Sequence, residues 1–258
     1  MHPAPLLFVS DLHLDAAAPD AIAQFMAFLE GEARQATALY ILGDLFESWI
    51  GDDDDEPARS RVCEALRRFT RDGHPCFVMC GNRDFLLGTG FEARTGCRLL
   101  PDPVLLEWGA VRALVSHGDP LCTADHSYQE FRTLVRDVRW QHGYLSLPLA
   151  TRRLLAAAAR SGSRAHTTRT RPYIMDVAPA AVEAAFRVAD TNLLIHGHTH
   201  RPDVHVLKLD GRERTRIVLG DWYDQGSVLR LRADGSHELH SLPRQAGSVN
   251  IESSSSRV

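Results

Sequence analysis

The stretch PLLFVSDLH, residues 5 to 13, decides the fold class. Its apolar run is typical of a strand buried on both faces, and the polar residues Ser10, Asp11 and His13 follow at once. Similar runs recur at 38 to 43 (ALYILG) and 75 to 81 (PCFVMCG), after segments with helical spacing at 21 to 35 and 58 to 73. The order strand, helix, strand, helix, strand predicts an α/β protein with a largely parallel sheet covered by helices.

Metal-binding residue types stand at the end of each predicted strand of this first sheet, to which we also assign two later runs, VRALVSHG (111 to 118) and NLLIHG (192 to 197). A single Asp or His at such a position is ordinary turn chemistry, whereas a set of five strand ends in chain order is not. Ligand sites in open α/β sheets form beyond the carboxyl ends of the strands. We therefore expect one metal site with the ligands Asp11, His13, Asp44, Asn82, His117, His198 and His200.

The pattern changes after residue 203, where alternating strands are separated by Asp-Gly turns. This alternation predicts a second, mostly antiparallel sheet. The last residues, 244 to 258, are small and polar, and we expect them to be a disordered tail. The remainder, 1 to 243, is expected to form one domain.

Residues 124 to 186 are typical of a helical insertion. Its predicted parts are helices at 125 to 142 and 147 to 160 and a polar loop at 161 to 172. The apolar side chains of these helices either pack on one another or line a groove. They are Phe131, Leu134, Val135, Leu145, Leu147, Leu149, Leu154 and Leu155, and the same segment carries Arg152, Arg153, Arg160 and Arg164. Such a segment suits a phosphorylated amphiphile or a membrane surface.

Charge sets limits on the partners. The net charge of -4 provides no basic field, so we expect no nucleic-acid partner.

The acidic run from Asp52 to Asp55 is interpreted as an exposed, solvated loop rather than a third metal site. The first residues do not resemble a signal peptide, and we expect a cytoplasmic protein that is a monomer or a weak oligomer.

The blocks DLH, GDLFE, GNRD, SHGD and GHTH, spread from Asp11 to His200, resemble the calcineurin-like metallophosphoesterase family. The resemblance implies a sandwich of two mixed β-sheets flanked by helices, with a helical lid insertion. It also implies a metal pair, one ion held by Asp11, His13 and His200, the other by Asn82, His117 and His198, with Asp44 between them. The catalytic residues would be Asp44, Asn82, Arg83 and His117.

The residue types agree with this chemistry. Mixed imidazole, carboxylate and amide ligands suit manganese, iron or zinc. Two divalent ions carry four positive charges against the carboxylates of Asp11 and Asp44, so the site would attract a phosphate and a hydroxide. Phosphoester or phosphoanhydride hydrolysis is the reaction class that follows.

Arg83 narrows the choice of substrate. Many members of the family have a histidine at this position, after the Asn, and that histidine protonates an alkoxide leaving group. A phosphate leaving group needs no such acid, and a guanidinium grips phosphate oxygens. Arg83 therefore favours a pyrophosphate bond.

The longer blocks LFESWIGDDD (45 to 54) and SHGDPLCTADHSYQEFR (116 to 132) resemble the branch of the family that hydrolyses UDP-2,3-diacylglucosamine in the lipid A pathway of Gram-negative bacteria. That resemblance implies manganese, the products UMP and 2,3-diacylglucosamine 1-phosphate (lipid X), and a place at the cytoplasmic face of the inner membrane. The implied substrate contacts are Asn82, Arg83, Asp125, Tyr128, Arg160, Ser163, Thr167, Thr170 and His198. Thr170 departs from the branch, which has a lysine there.

Two other hypotheses remain open at this point. The metal blocks alone also permit a phosphoesterase for soluble nucleotides, such as a dinucleoside polyphosphate or cyclic nucleotide. A third hypothesis is a binding scaffold that has lost its metals, which the complete ligand set disfavours.

Overall fold

Two β-sheets packed face to face form the centre of the protein in the computed structural model, which describes residues 3–169 and 175–244. Within these residues one sheet has the order β11-β10-β1-β2-β3-β4 and the other β5-β6-β7-β9-β8. The strands are β1 (Leu6–Val9), β2 (Ala38–Leu42), β3 (Cys76–Met79), β4 (Arg98–Leu100), β5 (Val104–Trp108), β6 (Val111–Ser116), β7 (Leu193–His196), β8 (Asp203–Leu209), β9 (Arg212–Val218), β10 (Gly226–Leu231) and β11 (His237–Leu242). Both sheets mix parallel and antiparallel pairs, as expected for the predicted sandwich.

Helices surround the sandwich in the described part of the chain, and some of them pack on its outer faces. They are α1 (Pro19–Glu30), α2 (Pro57–Arg71), α3 (Thr89–Thr95), α4 (His126–Val135), α5 (Val138–Leu145), α6 (Leu149–Arg169) and α7 (Pro179–Ala189), with short 3-10 turns at Glu32–Gln35 and Asp119–Leu121. Alternate side chains of each strand face opposite sides. In β1, Phe8 points into the core between the sheets, while Leu7 and Val9 pack under α1 and α2.

The assignment of strands to sheets differs from the sequence prediction. The runs at 111 to 118 and 192 to 197 form β6 and β7 in the second sheet, not in the first, and β10 returns to the first sheet beside β1. A buried apolar run looks the same in either sheet, so pairing between distant segments decides the outcome. The predicted strand ends still meet, because the carboxyl ends of β1, β2 and β3 lie beside those of β6 and β7.

The predicted polar loop at 161 to 172 is wrong over 161 to 169, where α6 continues to Arg169. Its remaining residues, 170 to 172, lie outside the described part of the chain. The run of alanines from Ala156 to Ala159 has high helix propensity, and one internal glycine, Gly162, costs only about 1 kcal/mol relative to alanine. Helix α7 packs on the second sheet through Val182 and Phe186.

The C-terminal segment begins with an ordered contact. Arg244 NH2 donates to the carbonyl oxygen of Trp222 at 3.0 Å. The rest of the predicted tail, 245 to 258, lies outside the described residues.

Candidate metal centre

The backbone at the predicted ligands takes a conformation that non-glycine residues rarely adopt. Positive φ angles occur at Asp11 (54°), His13 (48°), Asp44 (51°), His198 (68°) and His200 (56°). In the part of the chain that the structure describes, Asp190 and Asp210 are the other non-glycine residues of this kind. Such residues cost about 1–3 kcal/mol each and cluster at functional sites. The strain turns each side chain toward the space beyond the strand ends.

Asp11, His13 and His200 form one half of the site. The Nε2 atoms of His13 and His200 lie 3.3 Å apart, and His200 Nε2 lies 3.4 Å from Asp11 Oδ1. Asp11 Oδ1 is buried and has no hydrogen-bond partner, while Oδ2 accepts from Ser10 and from the backbone of His198. An unsatisfied buried oxygen facing two imidazole nitrogens fits a cation.

Asn82, His117 and His198 form the other half. Asn82 Oδ1 lies 3.0 Å from His117 Nε2 and 2.9 Å from His198 Nδ1. The opposite ring nitrogen of His117, Nδ1, lies 2.9 Å from the carbonyl oxygen of Leu42. Because a carbonyl only accepts, Nδ1 carries the proton and Nε2 is left as a ligand atom.

Asp44 lies between the two halves. Its Oδ2 is 3.8 Å from His13 Nε2, and its Oδ1 is 3.9 Å from His117 Nε2. Ligand atoms of Asp11, Asp44 and His117 also lie within 4.8 Å of one another. The donor set therefore fits a pair of divalent ions that share a carboxylate.

The charges around His117 show that the site attracts cations. Burial opposes protonation of its ring, but the carboxylates of Asp44 and Asp119 outweigh burial and raise the pKa to about 9. Burial also opposes ionisation of Asp11, yet the nearby imidazole of His200 holds the pKa of that carboxyl well below its ordinary value. The raised pKa of His117 indicates a negative potential at its ring, which favours a bound cation, and the lowered pKa of Asp11 keeps that carboxylate ionised and able to act as a ligand.

Comparison with known proteins decides the family. The sequence model of the calcineurin-like phosphoesterases matches residues 4–202. The chain belongs to this family. It is 50% identical over 236 residues to a UDP-2,3-diacylglucosamine hydrolase of Stenotrophomonas maltophilia (strain R551-3), covering 89% of this chain and 95% of that protein. It is 48% identical to a protein of the same name from Xanthomonas campestris pv. campestris (strain B100), covering 89% and 96%.

Among solved structures, the chain is similar to a novel archaeal phosphodiesterase, with a TM-score of 0.48 and 12% identity, covering 92% of this chain and 99% of that one. The family match and the relatives at about half identity agree with the site geometry. This calcineurin-like phosphoesterase is a metal-dependent hydrolase. The alternative of a binding scaffold without activity is therefore set aside.

Asp84 supports the metal centre of this phosphoesterase and was missed in the sequence. Its carboxylate accepts from the backbone N–H of Gly81 at 2.7 Å and of Leu45 at 2.8 Å, so it ties the loops that carry Asn82 and Asp44. Burial, followed by the charge of Asp44, raises the pKa of this carboxyl to about 6. The available signal was its place at the end of the GNRD block.

Gly81 and Gly197 explain why glycine borders the predicted ligands. A Cβ at Gly81 would collide with the carboxylate of Asp44, and one at Gly197 would collide with Ser10 and Asp11. His196, beside Gly197, is fully buried, and its Nε2 lies 3.1 Å from Arg216 NH1. His196 is therefore a packed residue of the interior, next to the ligand-bearing turn.

A cavity of about 450 Å³ extends from Asn82 and Arg83 to the helical region. Arg83 Nε is buried without a hydrogen-bond partner. The apolar part of the lining comes mainly from Ile50, Phe85, Leu86, Phe131, Trp140, Tyr144 and Leu155. Of the predicted apolar residues, Phe131 and Leu155 line the cavity, while Leu134 and Leu154 are exposed and Val135 is buried.

The predicted substrate contacts divide into three groups. Tyr128 and Arg160 line the cavity together with Asn82 and Arg83, and the ring of Tyr128 lies 5.7 Å from that of His198. Asp125 caps α4, accepting from the backbone N–H of Tyr128 at 3.1 Å. Ser163 and Thr167 lie on α6, where their side chains are not described, and Thr170 lies outside the described residues.

The acidic run is not the solvated loop that the sequence predicts. Asp54 is buried and accepts from Arg59 at 2.6 Å, and Asp52 accepts from the backbone of Gly90 at 2.8 Å. Asp53 and Asp55 are exposed but pair with arginines of α6. Like charges in sequence are tolerated here because each carboxylate has its own donor.

The same pairs correct the expectation for the arginines of the insertion. Arg152 is buried against Asp53 and donates to the carbonyl oxygens of Ile50 at 2.6 Å and Leu147 at 3.0 Å. Arg153 pairs with Asp55. Arg152 and Arg153 therefore attach α6 to the main domain, whereas Arg160 lines the cavity; the side chain of Arg164, also on α6, lies outside the described part of the chain.

Proposed function

We propose that this phosphoesterase hydrolyses the pyrophosphate bond of UDP-2,3-diacylglucosamine, releasing UMP and 2,3-diacylglucosamine 1-phosphate in the lipid A pathway. The observation that carries the proposal is the cavity that joins Asn82 and Arg83 to apolar walls. A phosphate-binding end and an apolar end in one cavity match an amphiphile with a diphosphate in its middle. The names of the relatives at about half identity support the same substrate.

The metals would be two divalent ions: imidazole, carboxylate and amide donors suit a first-row metal, and the resemblance to the branch described above favours manganese. The residues that would hold them are Asp11, His13, Asp44, Asn82, His117, His198 and His200. Such a pair, when bound, would lower the pKa of a water molecule and neutralise the negative charge on the oxygens of the attacked phosphoryl group.

Protein side chains would position the diphosphate. Arg83 has a buried Nε without a partner and lies in the cavity wall, so its guanidinium is free at that atom to donate to a phosphate oxygen. Tyr128 lies in the wall beside His198, with its hydroxyl held by Asp119 at 2.6 Å. Arg160 adds a second positive charge to the wall.

The apolar wall would receive acyl chains. Phe131 and Leu155 are 44% and 46% exposed, which leaves surface for a ligand to cover. Burial of apolar surface contributes about 25 cal/mol per Å², so a chain lying along this wall gains affinity without any polar contact. A soluble nucleotide gains nothing there.

We further propose that the protein works at the cytoplasmic face of the inner membrane. No helix in the described part of the chain has the length and apolarity to cross a bilayer. Val138 and Leu154, in the helical region, are 77% and 74% exposed, as expected for side chains that enter a lipid surface. Cosedimentation with anionic vesicles tests this, and loss of binding in Leu154→Asp is expected; no binding by the unmodified protein contradicts it.

The substrate proposal is tested by incubating the purified protein with Mn²⁺ and UDP-2,3-diacylglucosamine and measuring UMP. We expect rapid release of UMP, and much slower hydrolysis of UDP-glucosamine, diadenosine tetraphosphate and cyclic AMP. A preference for any of these soluble nucleotides would reject the lipid substrate and favour the alternative nucleotide phosphoesterase. Since all four assays use the same metal, such a result leaves the metal centre untouched.

A further inference from the structure

The turn between β9 and β10 carries Asp221 and Tyr223 on either side of Trp222. Trp222 is fully buried, and its ring packs edge-on against Phe25 at 6.0 Å and Phe28 at 5.6 Å. Its backbone N–H donates to the carbonyl oxygen of Asp11 at 3.1 Å. The turn is thereby fixed to α1 and to a predicted ligand.

Both neighbours of Trp222 contact the half-site of Asp11, His13 and His200. Asp221 Oδ2 lies 3.4 Å from Nδ1 of His200. The ring of Tyr223 stacks on that of His13, with centroids 5.0 Å apart and planes inclined by 10°. From the opposite side, Glu47 Oε2 lies 3.1 Å from Nδ1 of His13.

These carboxylates favour one tautomer of each imidazole. Glu47 accepts from Nδ1 of His13, so that nitrogen carries the proton, and Asp221 lies on the Nδ1 side of His200 at ion-pair distance. With the protons on Nδ1, the two Nε2 atoms present lone pairs 3.3 Å apart, beside Oδ1 of Asp11. A cation between these three acceptors satisfies all of them.

Among the described residues, no carboxylate is hydrogen-bonded to an imidazole of the other half-site. Nδ1 of His117 donates to the neutral carbonyl of Leu42 at 2.9 Å, and the third donor is the neutral amide of Asn82. A carboxylate behind an imidazole makes the ligand more basic than a carbonyl does. The imidazole ligands His13 and His200 are therefore more basic than His117 in the other half-site.

We propose that Asp221 and Glu47 are positioning residues that make the half-site of Asp11, His13 and His200 the tighter of two unequal metal sites. The inference rests on the proposed metal centre. Loss of either carboxylate weakens this site and leaves the site of Asn82, His117 and His198 unchanged.

The test is a Mn²⁺ titration of the protein after its bound metal has been removed with a chelator. The concentration of free Mn²⁺ is followed by electron paramagnetic resonance. The unmodified protein is expected to show two classes of site. Asp221→Asn and Glu47→Gln each weaken the tighter class by about 10- to 100-fold, the usual effect of removing such a partner, and spare the weaker class. Asn82→Ala has the opposite effect, removing the weaker class only.

The control is Asp224→Asn, an exposed carboxylate in the same turn, which leaves both classes unchanged. Thermal unfolding of the metal-free protein detects structural damage. If Asp221→Asn lowers the midpoint temperature of that unfolding, the inference is judged on Glu47→Gln, which lies on a different loop. Two equal classes, or variants that bind like the unmodified protein, overturn the inference and leave the metal centre standing. No Mn²⁺ binding by the unmodified protein overturns both.

Discussion

The metal centre and the helical region are built in different ways. The predicted ligands follow directly on buried strands, and five of them sit in strained backbone conformations that aim them at one point. Helix α6 is instead attached by ion pairs between residues far apart in sequence, such as Asp53 with Arg152, and exposes Leu154 and Leu155. The difference indicates that the rigid sheets hold the catalytic residues, whereas the attached helices contact the rest of the substrate.

Mutations should therefore separate the two regions. A change at the metal centre lowers the maximal rate, because it removes interactions made in the transition state. A change in the helical region raises KM for the lipid, because it removes interactions that are equally strong in the bound substrate and in the transition state.

The largest effect is expected for His117→Ala. Loss of one metal ligand removes several kcal/mol of transition-state stabilisation, so kcat falls about a thousandfold or more. Steady-state release of UMP measures this, and His142→Ala, an exposed histidine of α5, serves as the control. Full activity in His117→Ala would refute the metal assignment.

The pH dependence of metal binding should be the next largest effect. His117 has its pKa raised to about 9, and its ring must lose a proton before it binds a metal. Affinity for Mn²⁺ therefore rises as the pH rises toward 9 and is lost as the pH falls, by about a hundredfold from pH 8 to pH 6 if one proton is displaced. A titration at constant ionic strength checks the slope; affinity independent of pH contradicts the role of His117.

Arg83→Ala tests the boundary between the two regions. A charged hydrogen bond contributes about 1.5–3 kcal/mol, so kcat/KM should fall about 10- to 100-fold. The loss is expected to be the same for the lipid substrate and for UDP-glucosamine, because both carry the diphosphate. A loss of kcat/KM confined to the lipid substrate would mean that Arg83 contacts the lipid part of the substrate rather than its diphosphate.

Phe131→Ala should have a smaller and more selective effect. Removing a half-exposed aromatic side chain from the cavity wall costs about 1 kcal/mol of apolar contact, or about fivefold in KM for the lipid. Hydrolysis of UDP-glucosamine is expected to stay unchanged, which is the internal control. An equal loss on both substrates would mean that the apolar wall does not receive acyl chains.

Arg152→Ala is expected to give the smallest kinetic effect, a rise of a few-fold in KM with kcat unchanged. The variant loses hydrogen bonds to the backbone of Ile50 and Leu147, so α6 is held less firmly over the cavity. Arg153→Ala is the matched control: its partner Asp55 is exposed, so that pair contributes little, and its second partner, Asp54, keeps its ion pair with Arg59. A lower kcat in Arg152→Ala would show that the two regions are not separate.

The sequence predicts the metal centre better than the helical region for a physical reason. Ligands such as Asp11 and Asn82 follow buried strands, and the carboxyl ends of neighbouring strands meet whichever sheet they join. The error over β6 and β7 therefore left the set of site residues together.

The partners of the acidic run were not predictable in the same way. Asp53 and Arg152 are separated by 99 residues, and no local periodicity brings them together. Asp84 and Asp221 were missed because a carboxylate that contacts backbone or imidazole N–H groups looks like any loop aspartate in the sequence.

The most direct test of the proposed two-metal hydrolysis is a titration of the chelated protein with Mn²⁺, in which UMP release from UDP-2,3-diacylglucosamine and bound Mn²⁺ are measured on the same samples. We expect no release without metal and a rise to full activity as the second ion binds. UMP release that persists in chelator, or that is complete with one bound ion, would contradict it.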